Sequence, residues 1–319
     1  MTNGVDVVIT AYGRRDLTAS CLSHLAQQSR PHRVIVVDNG SDDDTSAMIE
    51  REWPDVHLVR FETNMPYPIA TNRGVSEGTN PFVVMLNNDV DCRPDFLENL
   101  IRALETHEDA GSAAALLVRP DETEIDSFGL ATDRTLSCFP RLRGAPVRNR
   151  AEPNTKLLGP AGAAAAFRRA AWEAVDGLDE ELPAYMEDFD LALRLRAAGF
   201  DALAVQGAVG THWGSATFGH QSKRQRWLGG FGRAYVVRRY GLLNGIIGLQ
   251  ITATECGVAL VDLLMHRDLE AVKGRAAGWH AAGSLARRSA PPRHAIDPSI
   301  SFIDTLRYRM NAATDSSPS

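Results

Sequence analysis

Cysteine is scarce. Cys21, Cys92, Cys138 and Cys256 are the only four in 319 residues, and none stands in C-x-x-C spacing. That sets aside a disulfide framework and leaves buried or free thiols in a reducing cytosol. Met1-Thr2-Asn3-Gly4-Val5-Asp6 has no basic segment ahead of an apolar core, so no secretory signal is visible and a cytoplasmic location is expected. Glycine-rich phosphate loops are also missing. Ala11-Tyr12-Gly13-Arg14 stands where G-x-G-x-x-G would follow the first apolar run, and no G-x-x-x-x-G-K-[ST] occurs. Dinucleotide redox chemistry and P-loop hydrolysis lose ground accordingly. An uninterrupted apolar span is absent too. Leu242 to Met265 is strongly apolar but contains Asn244, Gln250, Thr252, Thr254, Glu255 and Asp262. A spanning helix would carry a carboxylate near its middle at about 3 kcal/mol on insertion scales. A core or membrane-surface helix is the expectation.

What is present is ordinary globular composition, 44% apolar and 23% charged. The net charge of −6 hides an asymmetry. Residues 1–218 carry 20 Lys/Arg against 33 Asp/Glu, or −13; residues 219–294 carry 12 against 4, or +8. An acidic half joined to a basic segment suits an anionic lipid surface or a phosphorylated acceptor, and equally a solvated basic helix face.

Strand and helix signals alternate. Val5 to Thr10, Arg33 to Val37, Val56 to Phe61 and Phe82 to Leu86 read as strands. Asp16 to Gln28, a stretch capped by Ser41 and running to Glu50, Ala70 to Glu77, and Pro94 to Glu105 read as helices. This predicts an α/β fold, a mostly parallel central sheet with helices on both faces. Ala113 to Val118 and Ala202 to Val205 are further short strands. Residues 119–156 read as an excursion near the substrate. Asp188 to Ala198 is a helix closed by Gly199, helices follow from Gln221, and a polar, disordered tail is expected from Asn311. The expected division is a nucleotide-sugar-binding catalytic domain over 1–218, a helical basic region over 219–310 and a tail over 311–319.

Polar residues gather at the strand ends: Thr10-Ala11-Tyr12, Asp38-Asn39-Gly40-Ser41, Asn64 with Asn72, and Asn88-Asp89-Val90-Asp91. In an open α/β sheet these ends line one crevice. Asp89 and Asp91 can hold Mg²⁺ or Mn²⁺, and through it a diphosphate. Asp38 can accept from a nucleobase imide, or serve as a turn and capping aspartate. Tyr12 offers a stacking face. Glu187, Asp188 and Asp190 put three carboxylates in four residues. They complement a helix N-terminus, or supply a general base for an acceptor hydroxyl. His212, in Thr211-His212-Trp213, is a candidate metal ligand.

Several motifs in order resemble the inverting family 2 glycosyltransferases of GT-A (Rossmann-like) fold. They are Val7 to Tyr12, Val36 to Asp43, Asn72-Arg73-Gly74, Leu86 to Asp91, Gly162 to Arg169 with Gly177 to Glu180, and Tyr185 to Leu191 with Arg194 and Gly199. The likeness is greatest to bacterial rhamnosyltransferases, and covers about residues 4–218. It implies a nucleotide-diphosphate sugar donor, best dTDP-L-rhamnose, and a divalent cation, Mn²⁺ or Mg²⁺. Thr10, Ala11, Tyr12, Asp38, Asn39, Asn72, Asn88 and Asp89 would bind the donor. Asp89, Asp91 and His212 would hold the metal, and Asp188 would be the base with Glu187 beside it. The implied acceptor is a cell-wall, polysaccharide or lipid-linked glycan, with no nucleic acid. The basic C-terminal region is expected at the cytoplasmic face of the membrane or in a homodimer contact. A small natural-product acceptor, and a silent sugar-nucleotide-binding protein, are the competing readings.

Overall fold

The computed structural model describes residues 4–148, 156–214 and 222–314. Among the described residues there are eleven strands: β1 Val5–Ala11, β2 Arg33–Asp38, β3 His57–Arg60, β4 Phe82–Asn87, β5 Val90–Cys92, β6 Ala110–Val118, β7 Ile125–Ser127, β8 Leu130–Thr132, β9 Cys138–Pro140, β10 Ala164–Arg168 and β11 Asp201–His212. The helices are α1 Arg15–Leu25, α2 Thr45–Glu52, α3 Tyr67–Ser76, α4 Phe96–Thr106, α5 Arg169–Ala174, α6 Glu187–Ala197, α7 Lys223–Arg239, α8 Gly245–His266, α9 Glu270–Ala281 and α10 Phe302–Thr314.

The central sheet runs β3-β2-β1-β4-β10-β6-β11-β5, with β7 on β6. β3, β2, β1 and β4 are parallel, β10 opposes both β4 and β6, and β5 opposes β11. The sheet is therefore mixed, because single-pass strands return where the α/β alternation stops. Strand pleating sorts the core. Val7 and Ile9 face α1 and α4, while Val8, Val83 and Met85 face Trp172, Leu191 and Leu195 on the other side. The expected short strand at Ala202 to Val205 is a 12-residue strand, since β11 bends past two register shifts to reach both β6 and β5.

Ser41 does not cap α2. Asp44 stands at that N-cap, and the Ser41 hydroxyl instead accepts from Gly13 N at 2.8 Å. The first four residues of the expected tail, 311–314, are the end of α10, and 315–319 lie outside the described residues.

The C-terminal helices pack onto α6. Phe189 and Leu193 meet Val236 and Tyr240, while Leu182 meets Phe231 and Tyr235. α7 and α9 pack closely because glycines leave room: a Cβ on Gly274 would lie 2.0 Å from Trp227 O, and one on Gly278 2.1 Å from Phe231 O. α8 is not a core helix. Its inward face carries Ile251, Thr254, Glu255, Val258 and Asp262, while Ile246, Leu249, Leu260 and Leu264 face outward. It is also long and apolar enough to cross a membrane by length and composition alone. The carboxylate that argued against spanning has a structural task. Glu255 meets Arg233 at 2.9 Å, Arg275 at 2.9 Å and Arg309 at 2.9 Å, and Arg233 also donates to the carbonyls of Thr135 and Leu136. Burial works against the Glu255 charge, but the three guanidiniums overcome it and hold the carboxyl down at about 2.

Removing that hub should be costly, since it strands a buried arginine. Glu255→Ala is expected to lower the unfolding free energy by about 3 kcal/mol or more, the scale for breaking a buried ion pair. Denaturant titration reads this directly, and a loss under about 1 kcal/mol, the surface-pair range, would remove the hub role.

Candidate functional site

The end of β1 and the start of α1 form one wall of the crevice. Thr10 Oγ1 lies 3.0 Å from Thr71 Oγ1, the Ala11 carbonyl accepts from Asn39 N at 2.7 Å, and the Tyr12 ring is 42% exposed, open for stacking. Asp38 closes β2, where its oxygens turn inward to Ser41 N at 2.9 Å and to the Ser46 hydroxyl. Asn39 exchanges two 2.9 Å bonds with the Met65 backbone, fixing the loop ahead of α3. Asn88 bridges to Gly13 O and to Thr18 Oγ1, tying the loop after β4 to that after β1. Asn72 points elsewhere. Its amide is spent on the Leu178 backbone and on Glu180, in a cavity of about 590 Å³ that also includes Asp179, Arg194 and Arg288.

The β5–β11 pairing brings the acidic turn to the histidine, with His212 opposite Val90 and Thr211 opposite Asp91. His212 Nε2 lies 3.4 Å from Asp89 Oδ1, and its Nδ1 lies 2.8 Å from Asp126 Oδ2 on β7. Asp126 belongs to the excursion that was expected near the substrate. Burial opposes charge on His212, but its hydrogen bond to Asp126 and the neighbouring Asp89 carboxylate outweigh it and raise the imidazole to about 9. Asp89 Oδ1 is buried without a hydrogen-bond partner. Asp91 is engaged on both oxygens, by Ser20 Oγ at 2.9 Å and Trp213 Nε1 at 2.9 Å, with His24 Nδ1 at 3.3 Å. Among the described residues, no three His, Cys, Asp or Glu side chains form a ready metal cage. Asp89 and His212 are the pair with capacity to spare.

The second acidic cluster opens α6, which begins behind two left-handed residues, Tyr185 at φ 59° and Met186 at φ 74°. Gly232 of α7 supports this bend, as a Cβ there would lie 2.9 Å from Tyr185 O. Asp188 receives Gly162 N on Oδ2 at 2.8 Å and Phe189 N on Oδ1 at 2.7 Å. Glu187 Oε2 is buried without a partner. Burial first, then the Asp188 charge, push the Glu187 carboxyl up to about 8. Burial raises Asp188 as well, while its backbone donors pull it back. Asp190 is different in kind. It is wholly buried, holding Arg194 at 2.7 Å, the Tyr240 hydroxyl at 3.0 Å and Arg288. The third carboxylate is structural.

Tyr67 links the two halves. Its hydroxyl donates to Asn87 Oδ1 at 3.2 Å. Its ionisation is raised by burial and then by the charges of Glu187, Asp188 and Asp89, so it lies within electrostatic reach of both clusters. Sequence reading passed over it and over Asp126; the only local signal for Tyr67 was its i, i+4 relation to Thr71.

Residues 6–175 match the family model for glycosyl transferase family 2, just over half of the chain. The chain belongs to that family. It is a glycosyltransferase. It is 27% identical over 235 residues to the N-acetylglucosaminyl-diphospho-decaprenol L-rhamnosyltransferase of Mycobacterium tuberculosis, covering 66% of this chain and 76% of that one. It is 26% identical over 280 residues to the O-antigen biosynthesis protein RfbC of Myxococcus xanthus, covering 81% of this chain but 21% of that longer protein. The fold is similar to the mannosyltransferase PcManGT of Pyrobaculum calidifontis, solved with GDP-Man and Mn²⁺. The TM-score is 0.57 at 17% identity, over 98% of this chain and 86% of that one. It is also similar to GalNAc-T7, solved with UDP, GalNAc and Mn²⁺, with a TM-score of 0.62 at 12% identity over 97% of this chain and 54% of that one. These likenesses establish the GT-A-like fold of this family 2 glycosyltransferase.

The His212 contacts have a pH consequence. A histidine raised to about 9 from 6.5 stabilises the fold fully below pH 6.5, and that contribution is lost as pH rises through about 9. With chelator present, thermal melts from pH 6 to 10 should show an alkaline loss that is reduced in His212→Gln by on the order of 3 kcal/mol. Parallel curves for the two proteins would refute the assignment.

Proposed function

We propose that the protein is an inverting, metal-dependent transferase moving a sugar, best L-rhamnose from dTDP-L-rhamnose, to a hydroxyl of a lipid-linked or polysaccharide glycan. The observation that carries this reading is that two acidic clusters converge on the buried Tyr67, whose ionisation the charges of Glu187, Asp188 and Asp89 all raise. Asp89 with His212 forms one cluster and Glu187 with Asp188 the other, with Tyr67 within reach of both. The resemblance to a rhamnosyltransferase named for a decaprenol-linked N-acetylglucosamine supports the donor and acceptor class.

The nucleotide would lie along Thr10, Ala11 and Tyr12, with Asp38 and Asn39 fixing the loops that frame it. Asp89, whose buried Oδ1 has no hydrogen-bond partner, and His212 would hold a divalent cation, with Asp91 beside them. A bound cation neutralises charge on the leaving diphosphate. Because His212 must lose its proton to ligate, affinity for Mn²⁺ should rise with pH towards about 9.

Asp188 is the base. Its two backbone donors favour its ionised form, leaving the shared proton on Glu187. The acceptor hydroxyl gives its proton to Asp188 as its oxygen attacks the anomeric carbon from the face opposite the diphosphate. The glycosidic bond forms as the bond to the diphosphate oxygen breaks, and the configuration inverts.

Asp188→Asn should keep donor binding and lose transfer by about 10²-fold or more. Calorimetry with dTDP, UDP and GDP sugars in Mn²⁺ reads the first, and radiolabelled transfer the second. Full transfer by the variant would overturn the base assignment. Failure to bind any donor would favour the silent reading.

A further inference from the structure

We propose that the outward face of α8 and the α8–α9 corner dock on an anionic phospholipid bilayer, with α8 lying along the membrane surface. The helix is built inside out. Its inward face holds Glu255 and Asp262, tied to Arg233, Arg275, Arg309 and Arg226. Its outward face presents Ile246, Leu249, Leu260, Leu264 and Met265, each more than half exposed, and the corner adds Leu269. At about 1.5 Å per residue, its 22 residues make a stripe roughly 33 Å long. A face this apolar marks an interaction surface.

Charge selects the occupant. Arginines hold three of the six acidic groups between residues 222 and 310, Glu255, Asp262 and Asp268, and Lys273 holds Glu270. Between residues 222 and 310, seven Lys and Arg remain exposed, against one exposed acid, Asp304. Arg267 and Lys273 flank the apolar corner, and Arg238 stacks on the exposed Trp279 ring at 4.8 Å. An apolar stripe with basic and aromatic flanks is the composition of an interfacial helix. A two-fold pairing of copies would instead set this basic surface against itself. The same ion pairs keep α8 from crossing the bilayer, since insertion would strip Glu255 of three partners.

The test is co-sedimentation of the full chain with phosphatidylcholine vesicles, with and without phosphatidylglycerol, beside the double variant Leu249→Glu, Leu264→Glu. Both positions are solvent-facing, so the variant should fold and bind donor as the parent does. The expected result is binding to the anionic vesicles alone, weakened by salt and reduced about tenfold or more in the variant. No binding by the parent, or equal binding by the variant, would overturn the proposal. So would a dimer in sedimentation equilibrium that the two substitutions dissolve, which would make the face a contact between copies. Vesicle binding needs no turnover, so it can fail or succeed apart from the transfer reaction.

Discussion

The site depends on one buried carboxylate that does no chemistry. Asp190 follows Glu187 and Asp188 by one turn or less, and its oxygens are taken by Arg194, Tyr240 and Arg288. A buried charge is tolerable only when paired, so α6, α7 and the segment around residue 288 must come together for the fold to form. Asp179 repeats the device, accepting from Tyr235 and pairing with Arg288. The C-terminal helices are thereby fastened to the first turn of the helix that carries Glu187 and Asp188. Of the basic excess over residues 219–294, Arg288 is this counter-charge, spent inside the protein.

That anchoring makes the electrostatics of the crevice possible. Tyr185 and Met186 hold left-handed conformations, which cost energy unless the surroundings dictate them. With Asp190 fixed behind them and Gly232 leaving space, the bend directs Asp188 to the Gly162 amide and leaves Glu187 desolvated. Two adjacent carboxyls in one buried site cannot both ionise cheaply, and the backbone donors decide which one does. On the facing side the same logic runs with opposite sign: two carboxylates hold a buried imidazole in its charged form. The crevice sets a proton-sharing acid pair against a cation held by acids.

The parts legible in the sequence were those with local signals. Apolar runs ending in polar residues located β1, β2 and β4 and the Asp89–Asp91 turn, while the place of His212 beside them came with the family resemblance. Asp38 sits at its expected strand end, yet its oxygens turn to Ser41 and Ser46, the capping use that an aspartate there equally permits. Asp126 was illegible because its partner is 86 residues away and its own strand is three residues long. Tyr67 was hidden for a related reason: it stands ahead of the helix expected at Ala70, and its meaning comes from carboxylates 20 or more positions distant. The antiparallel β10 escaped because Ala164, Ala165 and Ala166 give no periodicity by which to judge strand direction.

The apolar C-terminal helix shows how a correct cost estimate can leave the arrangement open. A carboxylate near the middle of α8 argues against spanning, but the argument says nothing about which face it occupies. The three arginines on Glu255 settle that: they pull the polar face inward and turn the leucines out. The usual amphipathic rule, apolar towards the protein, fails because the protein beneath α8 is itself ionic. A helix held by ion pairs on one side and presenting Ile246, Leu249, Leu260 and Leu264 on the other has an apolar surface still to cover. That surface is tied to α6 through α7: Arg233 holds Glu255, and Tyr240, just past the end of α7, holds Asp190. Whatever holds α8 in place therefore bears on the first turn of α6, where Glu187 and Asp188 stand.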